Sequence, residues 1–131
     1  MIDHIGFSVS DFARAKEFYV RALAPLGYRV VMEVTAEQSG YFDSAGFGAG
    51  KPELWISSGG GLNRPVHVAL AANDRHTVDA FYAAAIAAGG EDNGPPGIRE
   101  HYHPNYYAAF VRDPDGHNVE VVCQTTGQSP T

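Results

Sequence analysis

Three side chains stand out as groups that could do chemistry together: His4, His67 and Glu120. The two histidines each open a run with strand periodicity. Ile5, Phe7 and Val9 alternate with His4, Gly6 and Ser8, and Val66, Val68 and Leu70 alternate with His67, Ala69 and Ala71. In a third run Glu120 and Val122 oppose Val119, Val121 and Cys123. The apolar sets belong against helices. That leaves both imidazoles and the carboxylate on the opposite face, among the small residues Gly6, Ser8, Ala69 and Ala71. Small residues on a concave face leave room for something other than packing. Two imidazoles and one carboxylate suit Fe, Mn, Ni or Zn as divalent ions, with positions open for water or substrate. A lone strand histidine is more often an ordinary polar residue. The residues by themselves therefore leave both a metal centre and a pair of satisfied histidines open.

What tips the balance is a repeat, because it dictates the elements that must position these groups. The register that lays His4 on His67 also lays Asp11 on Asp74, Phe18 on Phe81, Tyr19 on Tyr82, Ala22 on Ala85, Ala24 on Ala87 and Gly27 on Gly90. Each copy opens with a strand and continues into a helix. Asp11 is the first N-cap, and Phe12, Ala15, Phe18, Tyr19, Ala22, Leu23 and Leu26 form a stripe at helical spacing. In the second copy the cap is Asp74 or Thr77, with Val78, Phe81, Tyr82, Ala85 and Ile86 as the stripe. Gly27 and Gly89-Gly90 are the stops. Three strands are expected after each helix, near 28–34, 40–47 and 53–57, then near 98–102, 106–112 and 118–123. Asp113-Pro114-Asp115-Gly116 reads as the turn joining the last two. The expected organisation is α+β: one domain over 1–131, with βαβββ module one at 1–57, a Gly-rich linker at 58–64, module two at 65–123 and a loose tail at 124–131.

Further candidates flank the triad. By alternation Glu53, Trp55 and Ser57 share a face, with Leu54 and Ile56 in the core. Glu53 is either a fourth ligand that can become a general base, or a solvated charge at a strand start. Before the closing hairpin lie Arg99, His101, Tyr102, His103, Tyr106 and Tyr107. Histidine can act there as acid or base, and Arg99 can hold a substrate carboxylate. The alternative is an exposed loop. His76 and His117 read as surface residues, one in a first helical turn and one just past a hairpin turn.

Bulk properties narrow the partners. A net charge of −6 argues against nucleic acid and anionic membranes, which need a basic face. No apolar run approaches the ~18 residues of a membrane span. Cys123 is the only cysteine, so no intrachain disulfide can form. With no signal-peptide pattern at the start, a reducing, cytoplasmic compartment is expected.

His4-Ile-Gly-Phe-Ser-Val-Ser-Asp11 followed by Phe18-Tyr19 resembles the opening of a vicinal oxygen chelate module. Phe110-Val-Arg-Asp-Pro-Asp-Gly-His-Asn-Val-Glu120 resembles the closing signature of that superfamily, in which the glutamate ligates the metal. The likeness covers residues 2–123. The superfamily includes glyoxalase I, bleomycin-binding proteins, extradiol dioxygenases, epimerases and fosfomycin-modifying thiol transferases. The resemblance implies two modules pairing into a curved mixed sheet around a metal-binding cavity, commonly in a homodimer. It implies His4, His67 and Glu120 as metal ligands. Glu53, His101 and His103 become the candidates for proton transfer, and Trp55, Arg99 and Tyr107 the candidates for holding a small-molecule substrate. The expected activity is that of a glyoxalase I-like lyase or isomerase on a substrate chelated through vicinal oxygens. An extradiol-type dioxygenase and a non-catalytic binding or resistance protein stand as alternatives. A phosphonate-modifying transferase ranks lower, because no cationic cluster is evident. Whether the modules pair within the chain or across a dimer is left open by the ligand pattern.

Overall fold

The alternation after His4 forms strand β1 (Ile5–Ser8), and Asp11 then caps helix α1 (Phe12–Leu23) by accepting from the Arg14 N–H at 3.1 Å. The computed structural model describes residues 1–59 and 65–125. Most of the expected linker and tail therefore lies outside the described residues. A short 3₁₀ turn with Pro25 inside it ends at Gly27, and the chain returns as β2 (Arg29–Val34). Strands β3 (Ser44–Gly48) and β4 (Leu54–Ser57) complete a four-stranded sheet in the order β1-β4-β3-β2. The second half repeats the plan. Strand β5 (His67–Ala71) leads to helix α3 (Arg75–Ala87), capped by Asp74, and the chain continues to β8 (Tyr107–Arg112) and β9 (Asn118–Cys123). The order is β5-β9-β8-β6, where β6 is Glu91–Asp92, and β7 (Gly97–Ile98) also pairs with β8. In each sheet the first strand runs parallel to the last and the other pairs are antiparallel. The protein is thus α+β with two mixed sheets, as the repeat implies.

Two expected strands are shorter than the residue pattern suggests. The one placed at 40–47 starts only at Ser44. Ahead of it Thr35 and Gln38 form a reciprocal capping box that stabilises a one-turn helix, α2 (Ala36–Ser39). The one placed at 98–102 stops at Ile98. Beyond it the backbone turns on itself, with Tyr102 N–H donating to Arg99 O at 3.0 Å and Tyr106 N–H to His103 O at 3.1 Å.

Both sheets bury their apolar face against α1 and α3. Phe18, Tyr19 and Leu23 meet Phe47, Leu54 and Ile56 from one sheet, while Val78 and Phe81 meet Val111, Val119 and Val121 from the other. These side chains form one continuous core, and each contributes about 1.5–3 kcal/mol through burial. The opposite face of each sheet carries the polar and small residues identified above.

The halves are tied by the β8–β9 turn. Asp113 is 4% exposed. One of its oxygens accepts from the N–H groups of Asp115 and His117 at 2.9 and 2.8 Å, and the other accepts from the Tyr19 hydroxyl at 2.6 Å. Burial, then the Asp113 charge, holds the Tyr19 phenol well above its ordinary 10.0. Gly116 closes the turn at φ 85°, where a side chain would be strained. His117 is not the surface residue expected. It is 5% exposed, packs on Phe7 with ring centroids 4.5 Å apart, accepts from Val66 N–H at 3.0 Å and donates to Ser8 O at 3.0 Å. Its place just past a turn concealed that the turn itself is docked against β1.

Asp113→Ala would leave the Tyr19 hydroxyl and two backbone N–H groups without their acceptor. It should lower the free energy of unfolding by about 3 kcal/mol. Glu91→Ala, which removes an exposed partner of Arg112, should change it by less than about 0.5 kcal/mol. Urea unfolding curves measure both, and equal effects would contradict the role given to Asp113.

Candidate metal and substrate site

The parallel β5–β9 ladder places His67 opposite Asn118 and Ala69 opposite Glu120, so both ligand-type side chains stand on the open face. The His67 Nε2 lies 3.1 Å from Glu120 Oε1. The His67 Nδ1 lies 3.1 Å from the Asn118 carbonyl oxygen. A carbonyl only accepts, so Nδ1 carries the hydrogen and a neutral ring presents the Nε2 lone pair. That lone pair faces a carboxylate oxygen. Two acceptors at this distance repel unless a proton or a cation lies with them. The other oxygen of Glu120 accepts from the Tyr106 hydroxyl, and Glu120 is only 2% exposed while His67 is open to solvent.

The first half holds a like set. Ile5 N–H donates to Glu53 O at 2.9 Å, which puts His4 and Glu53 beside each other where β1 and β4 begin. The Glu53 carboxylate accepts from the Tyr28 hydroxyl, as Glu120 does from Tyr106. His4 Nδ1 pairs with Asp3 at 2.8 Å, and Lys51 Nζ reaches the same Asp3 carboxylate at 2.7 Å. Lys51 first, then His4, holds the Asp3 carboxyl below its ordinary range. The two sets use an imidazole, a carboxylate and a tyrosine hydroxyl each. Burial, followed by the neighbouring carboxylate, pushes the Tyr28 and Tyr106 phenols up to about 12.

His4, Glu53, Lys51 and His67 line one cleft of about 610 Å³ between the edge strands β1 and β5. Glu120 is hidden behind His67 and Tyr106. Among the described residues of one chain, no three His, Cys, Asp or Glu side chains converge closely enough to hold a metal ion. The chemistry of the donors fits a divalent metal even so. His67 and Glu120 are aligned with a facing lone pair, and each carboxylate is oriented by a tyrosine that leaves its second oxygen available.

The other residues singled out from the sequence fall in three places. Trp55 lies on the open face of the β1-β4-β3-β2 sheet, lining a second cavity of about 470 Å³ that also reaches His4. Arg99 sits over the Phe110 ring at 5.3 Å, its guanidinium donating to Gly97 O and Pro95 O, and Phe110 in turn stacks near His67. Arg99 is thus on the Glu120 face. Tyr107 turns the other way, donating to Asp79 at 2.6 Å with Arg75 over its ring, against α3. His101 stacks on Tyr102 at 4.1 Å, and His103 accepts from Asn105 N–H at 3.0 Å. Both are exposed in the turn before β8. Tyr106 was named from the sequence only as a member of the loop cluster, with no role of its own, and Tyr28 was not singled out. Alternation along β8 carried the signal for the first, since Tyr107, Ala109 and Val111 are the core-facing set and Tyr106 must oppose them. Nothing in the local pattern marks Tyr28, which enters between the helix stop and β2.

The chain matches the sequence model of the Glyoxalase/Bleomycin resistance protein/Dioxygenase superfamily over residues 1–121, and it belongs to that superfamily. Members bind small molecules and typically use divalent metals. A glyoxalase/bleomycin resistance protein from Albidiferax ferrireducens T118 is 28% identical, with a TM-score of 0.73 over 94% of this chain and 98% of its own. A glutamate-to-glutamine mutant of glyoxalase I from Zea mays is 19% identical with a TM-score of 0.71, over 92% of this chain. This chain spans 44% of the maize enzyme. A glutamate-to-glutamine mutant of the fosfomycin resistance protein FosX from Listeria monocytogenes is 18% identical with a TM-score of 0.67, covering 98% of this chain and 90% of its own. That structure contains Mn(II) and 1S,2S-dihydroxypropylphosphonic acid. The last two likenesses are of fold. No curated protein matches the sequence significantly. Among the described residues, no helix is long and apolar enough to cross a membrane.

The raised phenols give a pH prediction. The folded state holds the Tyr28 and Tyr106 protons more tightly than the unfolded chain does. Their contribution to stability is therefore whole below pH 10 and is lost as pH rises towards about 12. Phenolate absorbance should show late titration near pH 12, shared with Tyr107, whose amplitude falls by one phenol in Tyr106→Phe and by one in Tyr28→Phe. Titration of both at their ordinary value would remove the two tyrosine–glutamate contacts.

Proposed function

We propose that the protein is a divalent-metal-dependent enzyme resembling glyoxalase I, a lyase or isomerase acting on a small substrate held through two vicinal oxygens. The observation that carries this reading is the approach of His67 Nε2 to Glu120 Oε1 with Nδ1 already committed to Asn118 O. Such a pair is matched to a cation. His4, His67 and Glu120 are the proposed ligands. Because they do not converge within one chain, the protein acts as a homodimer in which the His4–Glu53 pair of one copy meets the His67–Glu120 pair of the other. The modules at 1–57 and 65–123 are then the units that pair. The bound ion would supply Lewis-acid polarisation of the two substrate oxygens.

The chain's own residues do the rest. Tyr28 fixes the Glu53 carboxylate by one oxygen, leaving the other to take a proton from the carbon beside the polarised oxygen. His101 and His103, exposed at the rim, exchange protons with solvent. Trp55 and Arg99 flank the substrate, and Tyr107 supports this wall from the α3 side. Buried Cys123, the single thiol, is consistent with a reducing cytoplasm. An extradiol-type dioxygenase on the same ligands is the alternative chemistry. The cavity beside Trp55 favours one further reading, a non-catalytic small-molecule binding or resistance protein.

Elemental analysis of untagged protein should find roughly one equivalent of Zn, Ni, Fe or Mn per chain, lost in His67→Ala. Sedimentation should give a dimer. Glu53→Gln that keeps the metal but loses turnover assigns Glu53 to proton transfer, loss of metal makes it a ligand, and intact turnover leaves it a solvated charge at the strand start. No metal after reconstitution would sink the enzyme reading and put the binding protein in its place.

A further inference from the structure

The open face of the first sheet is organised in three rows across the strands. The register pairs Ile5 with Leu54, so His4 and Glu53 form the first row. Two residues on, Gly6 pairs with Trp55 and Trp55 with Gly46. Two further, Ser8 pairs with Ser57 and Ser57 with Ser44. The face therefore reads ligands, then an indole between glycines, then three hydroxyls. First row to last spans about 13 Å.

Each row has a physical character. The indole lies on bare backbone: a Cβ on Gly46 would come within 2.9 Å of the Trp55 ring, and one on Gly6 within 3.3 Å of the Trp55 Cβ. One face of the ring is thus backed by the sheet while Trp55 itself lines the cavity. Gly6 extends the flat floor beside it. Phe42 forms a wall, packed against Gly59. In the serine row the Ser8 hydroxyl donates to Gly59 O, whereas those of Ser44 and Ser57 have no protein partner among the described residues. No Lys, Arg, Asp or Glu lines this cavity among the described residues, although the chain carries 9 basic and 15 acidic residues. Away from His4, a charged ligand would be desolvated there with no counter-ion among the described residues. The volume of about 470 Å³ suits a small molecule.

We infer that the cavity takes an uncharged substrate whose flat, unsaturated ring lies on Trp55, with a hydroxyl or carbonyl beyond the ring bound by Ser44 and Ser57. The inference rests on the proposed function for the head of the substrate, held at the His4–Glu53 row. Ring and tail are argued from the sheet alone. It separates this protein from relatives whose ligands are phosphonates, since beyond the His4–Glu53 row a phosphonate would meet no Lys or Arg among the described residues.

Trp55 is the only tryptophan, so its indole N–H gives a single reporter resonance. Chelator-treated full-length protein would be titrated by NMR with dihydroxynaphthalene, and separately with naphthalenedisulfonate and with cyclohexanediol. Dihydroxynaphthalene should shift the Trp55 indole resonance saturably. The disulfonate and the saturated diol should each bind at least roughly ten-fold more weakly. The double substitution Ser44→Ala, Ser57→Ala, with a spectrum still dispersed, should weaken the diol probe by roughly five-fold. Tighter or equal binding of the disulfonate or the saturated diol would overturn the inference. So would binding that leaves the Trp55 resonance unmoved. The titration is free of metal, so ring selectivity persisting in a protein that takes up no metal would uphold the inference while removing the enzyme reading.

Discussion

The buried carboxylate of Asp113 is the contact on which the rest of the geometry depends. It sits at a turn of the second half and accepts a hydrogen bond from the Tyr19 hydroxyl on α1 of the first. It also fixes the backbone of its own turn through Asp115 and His117. A buried anion without donors would cost several kcal/mol, so the three donors are what allow it to be there. Through His117 the same turn reaches the Ser8 carbonyl at the end of β1 and the Val66 amide just before β5. One turn thus sets the positions of both edge strands. Those strands carry Gly6, Ser8 and His67 and adjoin His4.

The core and the site share strands but not faces. Leu54 and Ile56 are fully buried, while Trp55 between them and Ser57 after them are half-exposed. Val119 and Val121 are fully buried on one side, and Glu120 between them faces the other. A one-residue slip in either sheet would put Trp55 or Glu120 in the core and the apolar residues beside it on the open face. The helix-facing side therefore enforces the register of the opposite face. The two tyrosines extend this control to the carboxylates, each holding one oxygen from outside the paired strands.

Much of the architecture was legible because it rests on periodicity. The repeat gave the two strand-helix openings, the caps at Asp11 and Asp74 and the stripes that became the core. The alternation around Glu120 and Trp55 placed both on the open faces. What was not legible depended on contacts between halves or on local competition for backbone groups. His117 reads as a surface residue until the turn is docked on β1. Residues 36–39 fall to a helical turn because Thr35 and Gln38 satisfy its start. The segment after Ile98 folds into turns through its own carbonyls, which leaves His101 and His103 at the rim. His4, His67 and Glu120 were legible as residue types on open faces, whereas among the described residues of one chain no three such side chains converge.

The arrangement of charges sets Glu120 apart from the other buried acid, Asp113. Glu120 is as deeply buried as the valines beside it, in a chain of net charge −6. Its donors are one phenol and, when protonated, one imidazole. Arg99 is near in the fold but gives its N–H groups to Gly97 and Pro95 and its face to Phe110, so it offers Glu120 no bond. A carboxylate placed for stability alone would be served as Asp113 is, by three donors that never leave. Glu120 instead keeps one oxygen turned to an imidazole whose other nitrogen is fixed, and that imidazole is open to solvent. The difference between these two buried acids, one fully answered and one answered on a single side, separates the carboxylate that holds the fold from the one on which the proposed function rests.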